Sequence, residues 1–300
     1  MRDSKANISY WDKCISYGEG RIVSMREVDR QPGGDLNYRP QYIYEIAKKI
    51  KILMLQRYSR GDNVSELKGY FPAFLDAWEE SEKLGEDVWS DNIKIIRGSW
   101  AVNIDHYSDC FWMAGLAITL NVTGEEWSRL VKLMGNEGED ALLDRVISFR
   151  DPDRTIGNSL CFPKAYRSLL DVTEAPRELQ PVLLRQYLDG WLAGLEDAGS
   201  PSFPKAHRTP WWWNSCVDTN RSINGGYYMG CWCIEAAVVA KVFDIDDSIC
   251  LDHPHYPGDL LEDGRSPRYG DKEIEKEKME LNGKGSDLKG AFMRLFRRKN

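Results

Sequence analysis

Apolar residues recur along this chain at the three- and four-residue spacing that lines one side of an α-helix. Ile8, Trp11, Ile15, Gly18, Ile22 and Met25 mark a first helix face. The cluster Gln31-Pro32-Gly33-Gly34-Asp35 then breaks the chain, as Pro and Gly do. Beyond Pro40, Ile43, Ile46, Ala47, Ile50, Leu53 and Met54 form a second stripe, with Lys48, Lys49 and Lys51 off that face. This helix is expected to stop near Arg60-Gly61, since glycine is the usual C-terminal cap. Asn63, with Glu66 three residues on, is a start signal for the next helix. Val64, Leu67, Phe71, Phe74, Leu75 and Trp78 follow, and Pro72 is placed to kink or divide it.

The segment from Cys110 to Val122 is apolar nearly all round, the pattern of a helix enclosed by others. Its uncharged run ends at Gly124 and is shorter than the roughly 20 residues that cross a bilayer. Thr123 and Glu126 suggest a new start, leading into Trp127, Leu130, Val131 and Met134. Asn136 to Asp140 reads as a connector between two halves, followed by a short helix from Ala141 to Phe149. In the second half, Leu184, Tyr187, Leu188, Trp191, Leu192 and Leu195 fit the helical period without a miss. A loop rich in Pro and Trp runs from Ser200 to Trp213, and Gly226 to Phe243 is expected to be a central helix. No run of alternating β-branched residues appears, so the expected class is all-α. Two helical subdomains, residues 1–135 and 136–263, pack into one multi-helix bundle. A charged tail, residues 264–300, is left without an assignment of helix or disorder.

Composition sharpens this picture. The 300 residues include 42% hydrophobic and 29% charged positions, with eleven Trp, as in a globular chain with a sizeable core. The opening Met1-Arg2-Asp3-Ser4-Lys5 has no apolar stretch of the secretory kind. With seven Cys and no Cys-x-x-Cys spacing, reduced thiols in a cytoplasmic protein are the expectation. Cys231 and Cys233 read better as small core residues than as metal ligands. The net charge of −7 is uneven: from Lys284 to Asn300 six basic residues face Asp287 alone, a local +5 that leaves −12 elsewhere. An acidic body argues against direct nucleic-acid binding, which needs Lys and Arg to neutralise phosphates. It favours a basic partner, attracted at long range; ordinary solubility is the plainer explanation.

Candidate chemistry is sparse. Phosphate loops, His-Glu-x-x-His and Gly-x-Ser-x-Gly are all missing from the sequence. His253 and His255 flank Pro254 beside Asp252, which suits a fixed turn better than a metal site. Glu235 stands in the apolar run Trp232-Cys233-Ile234-Glu235-Ala236-Ala237. Burial would raise its pKa and make a general acid, or it is a carboxylate satisfied inside the core. Trp211-Trp212-Trp213 is either a sugar-stacking platform or aromatic packing between helices, the commoner use. From Asp244 to Asp263 seven carboxylates fall in twenty residues around Pro254, Pro257 and Gly258. They form either a rigid acidic loop that mimics phosphate for a basic partner or a solvated loop with helix caps.

This last region carries a resemblance. Tyr227 through Trp232, Glu235-Ala236-Ala237-Val238-Val239, Ile245-Asp246-Asp247-Ser248 and Asp252-His253-Pro254-His255-Tyr256-Pro257-Gly258-Asp259-Leu260 resemble the C-terminal signature of the PoNi family. These are immunity proteins paired with polymorphic nuclease (PoNe) toxins delivered between bacteria. Arg2-Asp3, and Tyr58-Ser59-Arg60-Gly61 ahead of Glu66-Leu67, resemble the family's N-terminal domain. Gly138-Glu139-Asp140-Ala141-Leu142-Leu143-Asp144 resembles the start of its C-terminal one. The likeness spans about residues 2–262; His255 stands where the family more often has an aromatic residue.

The resemblance implies an all-helical, cytoplasmic protein without cofactor or metal, and not an enzyme. It would bind a cognate DNase toxin one to one, within a type VI secretion or related system, without touching nucleic acid or membrane. Asp244, Asp246, Asp247, Asp252, Asp259 and Glu262 are the candidate toxin-binding residues, whereas Trp232, Glu235, Tyr256 and Pro257 are candidates for holding the fold. The alternative is an all-helical carbohydrate- or lipid-active enzyme using Glu235 in a Trp-lined cleft, which would need a second carboxyl roughly 5 to 10 Å away.

Overall fold

A computed structural model describes residues 1–218 and 227–271. Among them are eleven α-helices and no strand. They are α1 (Ile8–Asp29), α2 (Arg39–Arg60), α3 (Phe71–Gly85), α4 (Asp91–Gly98), α5 (Ile104–Thr119), α6 (Gly124–Met134), α7 (Leu143–Ser148), α8 (Pro163–Glu174), α9 (Gln180–Leu195), α10 (Trp213–Val217) and α11 (Ile234–Val242). The basic end of the tail, from Lys284, lies outside the described residues.

The boundaries follow from capping chemistry. Asn7 accepts from the Tyr10 amide at the start of α1, and Gly61, at φ 104°, ends α2 in the left-handed conformation. Asn63 caps a 3-10 turn over Val64–Tyr70, and Pro72 sits in the first turn of α3. Proline therefore divides this stretch, because its missing N–H costs nothing in a first turn. Thr123 and Glu126 close a reciprocal capping box on α6, worth about 1 kcal/mol.

α2 packs between α1 and α3, α8 pairs with α9, and α5 lies against α11. All but three of the sixteen residues of α5 are buried. Gly115 lets α5 approach α11 closely, since a Cβ there would lie 3.1 Å from Ile234 Cγ2. One hydrophobic core runs from Met25 in α1 through α5 to Leu260, so both halves of the chain share it.

Two buried carboxylates in this core are fully engaged. Asp140 accepts from the Leu142 and Leu143 amides at 2.9 and 2.8 Å, from the Cys161 amide at 2.7 Å and from Tyr107 Oη at 3.1 Å. Asp144 accepts from Arg154 at 2.8 Å and from three amides, those of Gly138, Asp140 and Gly157, at 3.1 Å each. Gly157 must be glycine here, because a Cβ would come within 2.4 Å of the Asp140 nitrogen. Asp140, at the end of the connector, and Asp144 of α7 thus form a buried node in which carboxylates organise a turn.

Three expectations are corrected. Lys51 is not on a solvated face: it is 1% exposed, paired with Asp109 of α5, with its ammonium 5.8 Å from the Trp112 ring centroid. Of the helix expected from Gly226 to Phe243, Gly226 lies outside the described residues; among the rest the helix is confined to Ile234–Val242, and residues 228–233 have no helical structure. One bond ties the segment across the chain: the Cys233 amide donates to the His255 carbonyl at 2.8 Å. Third, Cys216 and Cys231 are joined in a disulfide, fifteen residues apart in sequence, so not every thiol is free. This bond abuts a small secondary cluster of Ala6, Trp11 and Tyr228.

The first residues meet the segment that follows α11. Arg2 is buried, its guanidinium paired with Asp259 and, at 2.7 Å, with Asp263. It also donates to the Tyr58 and Asp62 carbonyls, both at 2.8 Å. Removing one member of a buried pair strands the other charge and costs about 3–5 kcal/mol. Arg2→Ala is expected to lower unfolding free energy by that order in urea titrations; a loss below about 1 kcal/mol would show that the clasp contributes little.

Candidate functional site

The acidic segment begins where α11 ends. Asp244 closes that helix at a positive φ of 53°. Asp246 accepts from the Ser248 amide at 3.0 Å, which starts a 3-10 turn over Ser248–Cys250 packed on α9. Arg185 of α9 anchors this turn, donating to the Ile249 carbonyl at 2.8 Å and to Asp252 at 2.6 Å. The same guanidinium holds the Asp252 carboxyl below its usual range.

The six candidate toxin-binding carboxylates do not form one surface. Asp244, Asp246, Asp252 and Glu262 are exposed. Asp247 and Asp259 are buried, which corrects their assignment to a solvent-facing loop. Asp247 accepts from Tyr256 Oη at 2.6 Å and from Arg265 at 2.5 and 3.0 Å. Asp259 takes the Ser266 amide at 2.5 Å, Arg268 at 2.6 Å and the guanidinium of Arg2. Sequence spacing cannot separate such carboxylates from their exposed neighbours, because the arginines that claim them are near in space, and Arg2 is distant in sequence.

The other signature residues face inward. Trp232 donates its indole N–H to Ser59 Oγ at 2.8 Å and meets Tyr58 edge-on, with centroids 5.1 Å apart. Ser59 passes the contact on to the Met229 carbonyl at 2.7 Å. Gly230, at φ 90°, fits beneath, where a Cβ would lie 2.1 Å from the Trp232 indole nitrogen. Tyr256 holds Asp247, and Pro257 is buried beside it.

Glu235 occupies the first turn of α11 and is 0% exposed. Tyr166 Oη donates to its Oε1 at 3.3 Å, whereas Oε2 has no hydrogen-bond partner. Burial pushes its pKa up to about 7, against the opposing pull of its own helix N–H and of Trp112 and Tyr166. A carboxyl sealed in this way has no path to a saccharide. The tryptophan triplet gives no platform either. Trp212 stacks on Trp191 at 5.5 Å and against Trp112 at 5.0 Å. Trp213 donates to the Leu192 carbonyl at 2.7 Å, and only Trp211 is exposed, at 36%.

The histidines are likewise committed. The His255 amide donates to His253 Nδ1 at 3.2 Å, and His255 Nδ1 lies 2.9 Å from the Cys231 carbonyl. Burial drives His253 down to about 4. Among the described residues no group of three or more His, Cys, Asp or Glu is disposed to hold a metal, and no helix is long and apolar enough to cross a membrane.

The raised pKa of Glu235 has a signed consequence. Between about 4.5 and 7 the unfolded chain has released this proton and the folded one has not, so wild-type stability declines as pH rises through that window. Glu235→Gln cannot ionise. It is expected to fold, and to gain on wild type between pH 5 and 7 by up to about 1.4 kcal/mol per pH unit, measured by denaturant unfolding. A stability difference independent of pH would overturn the assignment of a neutral, buried carboxyl.

Residues 2–132 match the family model described as PoNe immunity protein (PoNi), N-terminal, and residues 138–260 match PoNe immunity proteins (PoNi), C-terminal. No curated protein matches. Among solved structures, the crystal structure of protein PA2201 from Pseudomonas aeruginosa is similar, with a TM-score of 0.61 at 18% identity, covering 88% of this chain and 91% of that one. That likeness is one of fold. With both family models matched in order, the chain belongs to the PoNe immunity protein family, whose members inhibit nuclease toxins and are not enzymes.

Proposed function

We propose that this protein protects its cell by forming a one-to-one complex with a DNase toxin of the PoNe type, one delivered between bacteria by a type VI or related secretion system. The observation that carries this reading is the ordered family match across both halves. The electrostatics support it. A nuclease that grips DNA presents Lys and Arg to phosphates, and an immunity protein of net charge −7 meets such a face with complementary charge. Attraction of this kind speeds encounter more than it tightens the complex. Asp244, Asp246, Asp252 and Glu262 are the acidic residues of the C-terminal segment placed to take part. Inhibition then consists of covering the toxin's DNA-binding face, with no direct contact between this protein and nucleic acid.

The place of action is the cytoplasm, where the chromosome needs protection.

Co-expression with the adjacent toxin gene tests the function itself: survival and co-purification are expected, and death of the cells without a complex would refute it. Reversal of Asp244, Asp246 and Asp252 to Lys is expected to slow association at least tenfold at low salt and flatten its salt dependence. An unchanged rate would remove this segment from the interface.

A further inference from the structure

The stripe Leu184, Tyr187, Leu188, Trp191 buries one side of α9. At 100° per residue, Val182 points almost directly away from Leu184. Leu179, one turn earlier, shares that outward side. Both are large apolar residues left half in solvent, at 51% for Leu179 and 49% for Val182. A third, Ile249, is 45% exposed on the 3-10 turn that packs against α9.

Two ionic ties bring these residues onto one face. Arg177, just before α9, reaches Asp244 at 3.1 Å. Two turns along the helix, Arg185 holds the Ile249 carbonyl and Asp252. The segment from Asp244 to Asp252 is therefore tied to the first turns of α9, where Val182 stands one turn before Arg185 and Leu179 one turn before that. Carboxylates border the apolar residues. Glu178, Asp189, Asp244, Asp246 and Asp252 stand against Arg177 and Arg185, both already paired, and Lys241 in the last turn of α11. The border is net acidic by two charges.

An apolar centre of exposed side chains inside a charged border is the layout of a protein interface, in which the desolvated centre supplies most of the affinity and the rim sets orientation and rate. We infer that this α9 face, with Leu179, Val182 and Ile249 at its centre, is the seat for the nuclease. The matching surface of the partner is an apolar projection ringed by Lys and Arg. This rests on the proposed function and names the part of the molecule that performs it. The backbone there is held by helix and 3-10 hydrogen bonds, so the face is ready-made and little ordering is needed on binding.

The test uses the full chain and its cognate nuclease, carried as a catalytically inactive variant, with rates followed by surface plasmon resonance. The triple variant Leu179→Ala/Val182→Ala/Ile249→Ala removes exposed atoms and is expected to melt within a few degrees of wild type. Its dissociation is expected to be at least tenfold faster, with the association rate and salt dependence kept. Val182→Lys, which sets a cation against the partner's own, is expected to weaken binding at least as much. Val23→Ala, exposed on α1, is the control and is expected to leave both rates unchanged. If wild type binds and the triple variant dissociates within twofold of it, this face is not the seat, although the proposed function stands. If wild type fails to bind the nuclease at all, both fall.

Discussion

All but three of the sixteen residues of α5 are buried, and that single constraint shapes the whole molecule. A helix with one greasy stripe needs one neighbour, but a helix without a polar face must be surrounded. α2 and α3 come from earlier in the chain, and α8 and α11 from later, and none of these alone can wrap it. The two segments recognised as separate family domains therefore complete each other around a shared element. Gly115 sets how closely they do so, by letting Ile234 and Val238 sit against the α5 backbone.

The charges then sort themselves by depth. Arg2, Asp140, Asp144, Asp247 and Asp259 are buried, and each is satisfied by several partners. Such groups are demanding of geometry, since a lost partner leaves a charge with nothing around it. They fix how loops cross the ends of the helices. Carboxylates at the surface make fewer contacts: Asp246 bonds within its own turn, and Asp244 and Asp252 each meet an arginine at the surface. Glu235 is a third kind: buried without a cation, it is held as a neutral acid instead.

Most of the helical architecture was legible in the sequence, because the core stripes of α2 and α9 and the caps at Gly61, Asn63 and Thr123 are local signals. What was not legible depended on distant partners. Lys51 lies off the apolar stripe and reads as solvated, yet Asp109 waits 58 residues away. The run before α11 is as apolar as a buried helix, and periodicity alone cannot tell that from a buried extended segment. Asp247 and Asp259 look the same as Asp246 until Arg265 and Arg2 are brought up to them. The disulfide was missed because fifteen residues of spacing carry no signal by themselves. Membership of the family was readable from two ordered motifs, whereas the exposed side of α9 was hidden by the very regularity of its buried one.

The Arg2 clasp also bears on the order of events during synthesis. Arg2 leaves the ribosome well before its partner Asp259, which is 257 residues behind it. At the roughly 5–20 residues per second of translation, that interval is tens of seconds. Throughout it, a guanidinium destined for the interior has no carboxylate to meet, and α5 lacks the later helices that enclose it. Finished protein, and not nascent chain, is what a cell can rely on when a toxin arrives. A standing stock made in advance would serve it better than synthesis on demand.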